Sequence, residues 1–336
     1  MARDPLSIPP AVLAAYGISS DAAIEPITIG LINQTCRVGS LAIQRLHPIF
    51  AGEVNLDLEA ITAHLATRRM ITPRLVRTRD DRAWIEHEGV WRALTWIEGE
   101  VHTSLRAPAL AHAAGVLVGR FHRAIADLEH TFAFGRAGVH DTARHLGRLE
   151  GAIAGASGDV RTLGEAILEH ARGLAPLPTT RRRIVHGDLK ISNLLFDASG
   201  HGIALLDLDT LAHGSVAHEL GDALRSWCNP AGESAEGAID AALFAASIEG
   251  WASQMRGHLD PDEVASIVPG TETIALELAS RFALDAIEDR YFGWDASRYP
   301  SRVAHNLARA RSQLALARSI RGAQATLDTI VARAFG

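Results

Sequence analysis

The sequence predicts an α+β fold of two lobes, in which a small strand-rich N-terminal lobe precedes a larger and mainly helical C-terminal lobe. Up to about Trp96, short β-prone runs alternate with a single amphipathic segment, 56–65. Beyond that point, apolar residues recur at helical spacing, and a strand–turn–strand pattern at 194–206 interrupts the helices. We place the lobe boundary after residue 97, which gives lobes of 1–97 and 98–336.

The first predicted strands lie on either side of Gly30. Residues 27–38 carry strand-forming residues before and after this glycine, a pattern that an ordinary hairpin also shows. The next strand, 41–44, ends in Gln44. Arg45 follows, but its side chain is expected on the opposite face of the sheet because successive side chains of a strand alternate.

The connection between the lobes is predicted at the end of a hairpin in 86–100, where Gly99 breaks the extended run. The first long helix of the C-terminal lobe follows, and one of its faces is apolar. That face comprises Leu110, Ala114, Leu117, Phe121, Ile125 and Leu128. Residues 275–336 are alanine-rich and are also predicted to be helical.

The most informative pattern of the chain lies in 184–196 and 204–210. In chain order it presents a carboxylate, an amine, a carboxamide and a second carboxylate, namely Asp188, Lys190, Asn193 and Asp207. The turn residues 197–200 fold the second strand back along the first, so Asp207 is expected beside Asn193. Carboxylate and carboxamide oxygens are the ligands that Mg²⁺ prefers.

These four residues suit phosphoryl transfer. The reaction needs a group that orients and deprotonates the attacking hydroxyl, a metal that bridges the phosphates, and positive charge at the transferred group. We assign Asp188 as the catalytic base, Lys190 as the cation, and Asn193 with Asp207 as the Mg²⁺ ligands. The alternative interpretation is a catalytically silent hairpin flanked by solvated acids.

On these residues the chain resembles the aminoglycoside phosphotransferase and choline kinase-like superfamily, whose fold is that of the protein kinases. The stretch 186–193 is similar to the catalytic loop of both groups, and Asp207 matches their metal-binding acid. The resemblance implies a small antiparallel sheet in the first lobe, with ATP and Mg²⁺ as cofactors. It also implies that Gly30 covers the ATP phosphates and that backbone groups near Thr95 to Ile97 bind the adenine.

Several positions depart from the pattern of these families. Gln44 stands where the kinases have a phosphate-binding lysine, so Lys190, magnesium or backbone amides would meet the phosphate charge. In the kinases that lysine pairs with a glutamate on a helix. Glu59 stands at roughly this place here, and the residue that it pairs with is left open. Either Glu219 or Asp222 could support the catalytic loop from behind.

Asp209 is a further departure, because it replaces the glycine of the Asp-Phe-Gly triplet of protein kinases. Three roles are open for its carboxylate. It could join a second metal ion, bind a hydroxyl of the substrate, or cap a local turn.

The best resemblance over 27–317 is to the bacterial N-acetylhexosamine 1-kinases. It implies that Arg281 and Tyr291 hold a sugar, although their spacing is one residue shorter than the family pattern. On a continuous helix this difference would rotate Tyr291 by about 100°. Asp285 lies four positions after Arg281 and could contact a hydroxyl, pair with Arg281, or form a surface ion pair.

We therefore expect an ATP- and Mg²⁺-dependent small-molecule kinase that phosphorylates a hydroxyl of a sugar or amino sugar. One alternative is a phosphotransferase for another small hydroxyl compound, such as an aminoglycoside, choline or homoserine. A nucleotide-binding pseudokinase is the other, because Gln44 replaces the lysine.

The composition is compatible with an enzyme of the cytoplasm. A net charge of −6, with acids and bases mixed along the chain, disfavours a nucleic-acid partner. Two cysteines argue against a disulfide framework, and there is neither an apolar run of about 18 residues nor a signal-peptide core at the N-terminus. We expect no membrane partner, and the oligomeric state is open.

Overall fold

The structure is a computed structural model that describes residues 7–27, 33–135, 138–233 and 235–336. It confirms the predicted α+β fold of a small strand-rich lobe and a larger helical lobe. The predicted site residue Gly30 lies outside the described residues. No helix in the described part of the chain combines the length and the apolarity that a bilayer span requires.

The N-terminal lobe is an antiparallel sheet with one helix on each face. Its elements are α1 (Pro10–Ala15), β1 (Glu25–Ile27), β2 (Gln34–Val38), β3 (Leu41–Arg45), α2 (Val54–Thr67), β4 (Leu75–Val76), β5 (Ile85–Glu86) and β6 (Val90–Thr95). The strand order is β1-β2-β3-β6-β4, and β5 pairs with β6. A two-residue turn with Gly39 at φ +59° joins β2 to β3, since a positive φ is readily adopted by glycine.

Side chains alternate along each strand, so apolar residues point to both faces of the sheet, and both faces are buried. Ile43 and Trp91 pack against α1 on one face. Ala42 and Leu94 pack on the other face with Leu58 and its apolar neighbours on α2. The helix α2 thereby lies between the sheet and the second lobe.

The C-terminal lobe consists of helices around two short antiparallel sheets. Its elements are β7 (Glu100–Val101), α3 (Pro108–Ile125), α4 (Thr142–Ile153), α5 (Gly158–Ala171), β8 (Arg183–Val185), β9 (Leu194–Phe196), β10 (Gly202–Leu205), β11 (Ala212–Gly214), α6 (Val216–Trp227), α7 (Ala241–Met255), α8 (Pro261–Ala265), α9 (Ile267–Glu288) and α10 (Arg302–Phe335). The predicted hairpin is β9–β10, whose outer neighbour is β7, and β8 pairs with β11.

Helices α6 and α9 touch backbone to backbone. A Cβ atom on Gly221 would lie 2.6 Å from the carbonyl oxygen of Gly270. A Cβ atom on Gly270 would lie 2.4 Å from the carbonyl oxygen of Ala217. Both distances are shorter than carbon and oxygen tolerate, so only glycine allows this separation of the helices.

We therefore expect Gly270→Ala to destabilise the protein. The added methyl group must push α6 away from α9, and overpacking of this kind costs about 1–3 kcal/mol. Urea denaturation followed by circular dichroism measures the change. Gly322→Ala on α10 is the matched control, because its Cβ would meet open space and alanine favours a helix by about 1 kcal/mol. Equal effects of the two substitutions would contradict the prediction.

Candidate active site

One buried carboxylate holds the catalytic loop from behind. Glu219, in the first turn of α6, accepts hydrogen bonds from the backbone N–H groups of His186 at 2.8 Å and Gly187 at 2.9 Å. Its Oε1 also lies 3.0 Å from Nε2 of His122. Burial opposes ionisation, but these contacts outweigh it and hold the pKa of Glu219 below its usual value. Of the two candidates from the sequence, Glu219 is the one that supports the loop.

The loop is also joined to the segment after β10. The His186 ring lies 2.8 Å from the carbonyl oxygen of Leu206, and the Thr210 hydroxyl donates to the carbonyl oxygen of His186 at 2.8 Å. Gly187 has φ +77°, and a Cβ there would lie 2.6 Å from the carbonyl oxygen of Thr210. The two segments that carry the predicted site residues therefore form one unit.

Three of the predicted residues meet at Asp188. The Asn193 amide donates to the backbone oxygen of Asp188 at 2.8 Å and to its Oδ2 at 3.1 Å. The ammonium of Lys190 forms an ion pair with the same Oδ2. Burial raises the pKa of Asp188, but Lys190 outweighs this effect, and the net result is a pKa below the ordinary value. Asp188 is therefore ionised at neutral pH.

Asp207 lies two residues after the end of β10, in the left-handed region at φ 58°. Burial raises its pKa to about 6, while Lys190 acts in the opposite direction and the carboxylates of Asp209 and Asp188 add to the increase. Asp207 therefore lies within electrostatic range of Lys190 and Asp188. The neighbouring Leu206 N–H donates to the carbonyl oxygen of Asn193 at 2.8 Å, which places Asp207 next to the Asn193 position as the sequence predicts.

The donor set fits a hard divalent cation whose other ligands come from a nucleotide. The side-chain nitrogen of Asn193 donates to Asp188, so the side-chain oxygen Oδ1 is the atom that could bind a metal. Asp207 adds a carboxylate. Mg²⁺ is typically held by one or two such protein ligands together with phosphates and water. Within the described ranges no group of three His, Cys, Asp or Glu side chains could hold a metal by itself.

Comparison with known proteins agrees with this geometry. The family model described as the phosphotransferase enzyme family matches residues 23–255, which is more than half of the chain. The chain belongs to that family. The match covers the first lobe from β1 onward, the catalytic loop and Asp207.

Solved structures show that this phosphotransferase has the fold of small-molecule kinases. An aminoglycoside phosphotransferase from Alicyclobacillus acidocaldarius is 17% identical, with a TM-score of 0.63 over 99% of this chain and 98% of that one. The microcompartment-associated aminopropanol kinase is 16% identical, with a TM-score of 0.63 and coverage of 95% and 97%. Amicoumacin kinase hAmiN, in complex with AMP-PNP, Ca²⁺ and Ami, is 15% identical, with a TM-score of 0.63 and coverage of 91% of each chain.

In the phosphotransferase, the strand next to β3 carries a buried arginine opposite Gln44. Arg92 of β6 lies opposite Gln44 of β3 and donates from Nε to its Oε1 at 2.8 Å. Its Nη2 donates to Oδ2 of Asp209 at 2.9 Å, and Nη1 contacts the other oxygen. Arg92 was not among the residues singled out from the sequence, although a charged residue inside an otherwise apolar strand is a signal that could have found it.

Two predicted roles change as a result. The Asp209 side chain is fully buried in the ion pair with Arg92, so it neither caps a local turn nor faces a substrate hydroxyl or a second metal. The carboxamide of Gln44 uses its oxygen on Arg92 and its nitrogen on the Thr35 hydroxyl at 3.0 Å, so it orients Arg92 instead of binding the cofactor. Glu59 forms a partly exposed ion pair with Arg77, with its oxygens 2.6 and 2.8 Å from the guanidinium.

The predicted adenine-binding segment lies where β6 ends. The N–H of Thr95 donates to the carbonyl oxygen of Arg74 at 2.9 Å, and its hydroxyl accepts from the Arg74 N–H at 2.9 Å. Trp96 N–H donates to the carbonyl oxygen of Ser40 at 2.8 Å. The Thr95 N–H is therefore already hydrogen-bonded within the first lobe. Of the two residues predicted to bind adenine, Ile97, which follows the end of β6, is the one that remains a candidate.

The residues predicted to hold the sugar lie at the end of α9, and Asp285 has a structural role there. Its carboxylate accepts the N–H groups of Arg290, Tyr291 and Phe292 at 2.8–3.1 Å and the amide of Asn306 at 2.8 Å. It is 3% exposed, so a substrate contact and a surface pair are both ruled out for this residue.

Arg281 and Tyr291 lie near one another but not on one helix. The Arg281 guanidinium is 5.7 Å from the ring centroid of Phe292 and 3.8 Å from the carboxylate of Glu277, which replaces Asp285 as its partner. Tyr291 is 44% exposed and its ring meets Phe292 edge-on. Because α9 ends at Glu288, the expected rotation of Tyr291 around a continuous helix does not apply.

A cavity of about 250 Å³ opens beside the catalytic loop. Its lining includes Gly187, Thr210, His140, His218 and Arg182. Asp141, Asp209, His213 and Glu219 also line it, and its other lining residues are apolar or glycine. A cleft in which polar groups converge between apolar walls is typical of a small-ligand site.

We expect Glu219→Gln to loosen the catalytic loop. The substitution keeps the size of the side chain but turns an amide donor toward a backbone N–H group that needs an acceptor. The free energy of unfolding should fall by about 1–3 kcal/mol, and turnover should fall as well. Urea unfolding and initial-rate measurements check the two effects.

Glu59→Gln provides the matched control for this substitution. Its ion pair with Arg77 is partly exposed, and such pairs contribute about 0–1 kcal/mol. If both variants lost the same stability and the same activity, the support of the loop by Glu219 would be disproved.

Proposed function

We propose that this phosphotransferase transfers the γ-phosphate of ATP, with Mg²⁺, to a hydroxyl of a neutral sugar or N-acetylated amino sugar. The observation that carries the proposal is the convergence of Lys190 and Asn193 on Asp188, with Asp207 in electrostatic range. The solved complex of hAmiN with AMP-PNP and Ca²⁺ supports the use of a nucleotide and a divalent cation.

The chemistry follows from the positions of these side chains. The acceptor hydroxyl donates a hydrogen bond to Asp188, which orients the hydroxyl oxygen and takes its proton. The oxygen bonds to the γ-phosphorus as the bond from that phosphorus to the β,γ-bridging oxygen breaks, and ADP leaves. Lys190 balances negative charge at the transferred phosphoryl group. Bound Mg²⁺, held by Asn193 and Asp207, would neutralise the phosphates. Because the transition state is loose, a weak base suffices, and positioning provides most of the rate enhancement.

The charges around Asp188 favour a neutral acceptor. Oδ1 of Asp222 accepts from Arg225 at 3.0 Å, and Glu233 accepts from the same guanidinium at 2.9 Å. The positive charge of Arg225 also helps to lower the pKa of Asp188. Asp222 and Glu233 share this one guanidinium, so an acceptor amine would have to compete with Arg225 for either carboxylate.

Glu277 is a third carboxylate that already has cationic partners within the chain. Oε1 of Glu277 lies 3.2 Å from Nδ1 of His140 and 3.8 Å from Arg281, and Oε2 accepts from Thr142 at 2.7 Å. Burial opposes protonation of His140, but Glu277 and Asp222 outweigh it and raise its pKa. An amine would compete with protein cations for these carboxylates, whereas neutral hydroxyls and an acetamido group need only hydrogen bonds.

The acceptor class is tested with a panel under Mg²⁺ and ATP. It should contain free hexoses, N-acetylhexosamines, aminoglycosides, choline, aminopropanol and homoserine. We expect turnover with a hexose or N-acetylhexosamine, and ³¹P NMR then assigns the product position, with the anomeric hydroxyl expected. Turnover with the amines alone would contradict the neutral acceptor, and no ATP use with any compound would favour a pseudokinase.

Asp188→Asn is expected to lower kcat by about 10²–10⁴-fold, because the side chain can no longer accept the proton. Binding of AMP-PNP, measured by calorimetry, should change little. Asp159→Asn removes an exposed carboxylate at the start of α5 and should retain normal turnover. A variant of Asp188 with nearly normal kcat would show that the base is another group.

Asp207→Asn is expected to raise the Mg²⁺ concentration needed for half-maximal activity by tenfold or more, about the loss that follows removal of a charged metal contact. A titration of Mg²⁺ at saturating ATP measures this value. An unchanged half-maximal concentration would remove Asp207 from the metal site.

A further inference from the structure

Two side chains of the first lobe bind one carboxylate of the second lobe, and two further side chains hold the arginine of that contact. Arg92 makes a two-pronged ion pair with Asp209, and the Asn33 amide donates to Oδ2 of the same carboxylate at 2.6 Å. Gln44 on β3 and Asn55 on α2 hold the guanidinium, at 2.8 Å from Nε and 3.3 Å from Nη1. The sheet and α2 are thereby connected to the turn that follows Asp207.

This ion pair is shielded from solvent. The exposed fractions of the Arg92 and Asp209 side chains are 1% and 0%. All three nitrogens of the guanidinium have partners within the chain, so Arg92 does not extend toward a nucleotide. A buried charge that loses its partner is strongly unfavourable, so Arg92 and Asp209 must remain in contact in the folded protein.

The pair lies two residues from a predicted metal ligand. Asp207 is held on its N-terminal side by Leu206, whose N–H donates to Asn193 and whose carbonyl oxygen contacts His186. On its C-terminal side the short helical turn Leu208–Thr210 carries Asp209. The backbone of Asp207 is therefore fixed between an anchor in the catalytic loop and an anchor in the first lobe.

We propose that Arg92 is a positioning residue for the metal site, which holds Asp209 and thereby sets the orientation of Asp207 relative to Asn193. This inference rests on the proposed function insofar as that function assigns Asp207 and Asn193 to the metal.

The test is the Mg²⁺ dependence of nucleotide binding, which requires no acceptor. Arg92→Lys keeps the charge but loses the two-pronged contact, and AMP-PNP affinity is measured by calorimetry with and without Mg²⁺. We expect the Mg²⁺-dependent gain in affinity to fall by about tenfold or more, as for other residues that orient metal ligands. Binding without Mg²⁺ should stay within about twofold of the wild type, since Arg92 does not touch the nucleotide.

Arg77→Lys is the matched control, because Arg77 forms a similar two-pronged pair with Glu59 on the partly exposed side of the same lobe. It should behave as the wild type. If Arg92→Lys does not fold, Asp209→Asn tests the same link from the other side, with the same expected loss.

Two outcomes would overturn the proposal. Unchanged Mg²⁺-dependent binding would show that Arg92 has no influence on the metal site. An equal loss with and without Mg²⁺ would indicate general loosening of the fold. Failure of the proposed function is distinguishable from both, since the wild type itself would then bind AMP-PNP without any effect of Mg²⁺.

Discussion

The hydrogen bonds from His186 and Gly187 to Glu219 fix the strand that ends in the catalytic loop to the first turn of α6. All other features of the site are arranged around this contact. The same helix carries Asp222 and Arg225, so the support of the loop and the charges that face Asp188 share one rigid element. A carboxylate that is buried and still ionised is costly, and here three donors compensate for that cost.

The two lobes contribute to the site in different ways. The second lobe carries the groups that we propose to be reactive, and they interact over short stretches of chain through the loop and the β9–β10 hairpin. The first lobe provides orientation, because its sheet and α2 converge on Asp209 through Arg92. Its cation is directed at a protein carboxylate and not at phosphate, so the charge of the phosphates would be met by Lys190 and a metal ion.

The sequence was sufficient where the determining contacts are local. Asp188 and Asn193 are five residues apart, and the turn at 197–200 returns the chain to bring Asp207 alongside, so residue type and spacing predicted their proximity. The two lobes followed from the change in hydrophobic periodicity. These features depend on short-range geometry that a pattern of residues can encode.

Long-range partners could not be predicted in the same way. The pair of Arg92 and Asp209 joins residues 117 positions apart, one in each lobe. Asp285 was expected to face a ligand or solvent because it lies on a predicted continuous helix, but α9 ends three residues later and the carboxylate satisfies the backbone of the following turn. Neither fact is visible without knowing where chain segments meet.

The contact between α6 and α9 at Gly221 and Gly270 has an evolutionary consequence. Peptide atoms, not side chains, determine how far apart these two helices lie, so mutations on their other faces leave that separation intact. Side chains on the other faces of α9 can then be exchanged while the catalytic loop keeps its place. Sequence change on those faces is thereby uncoupled from the position of α6, which carries the support of the loop.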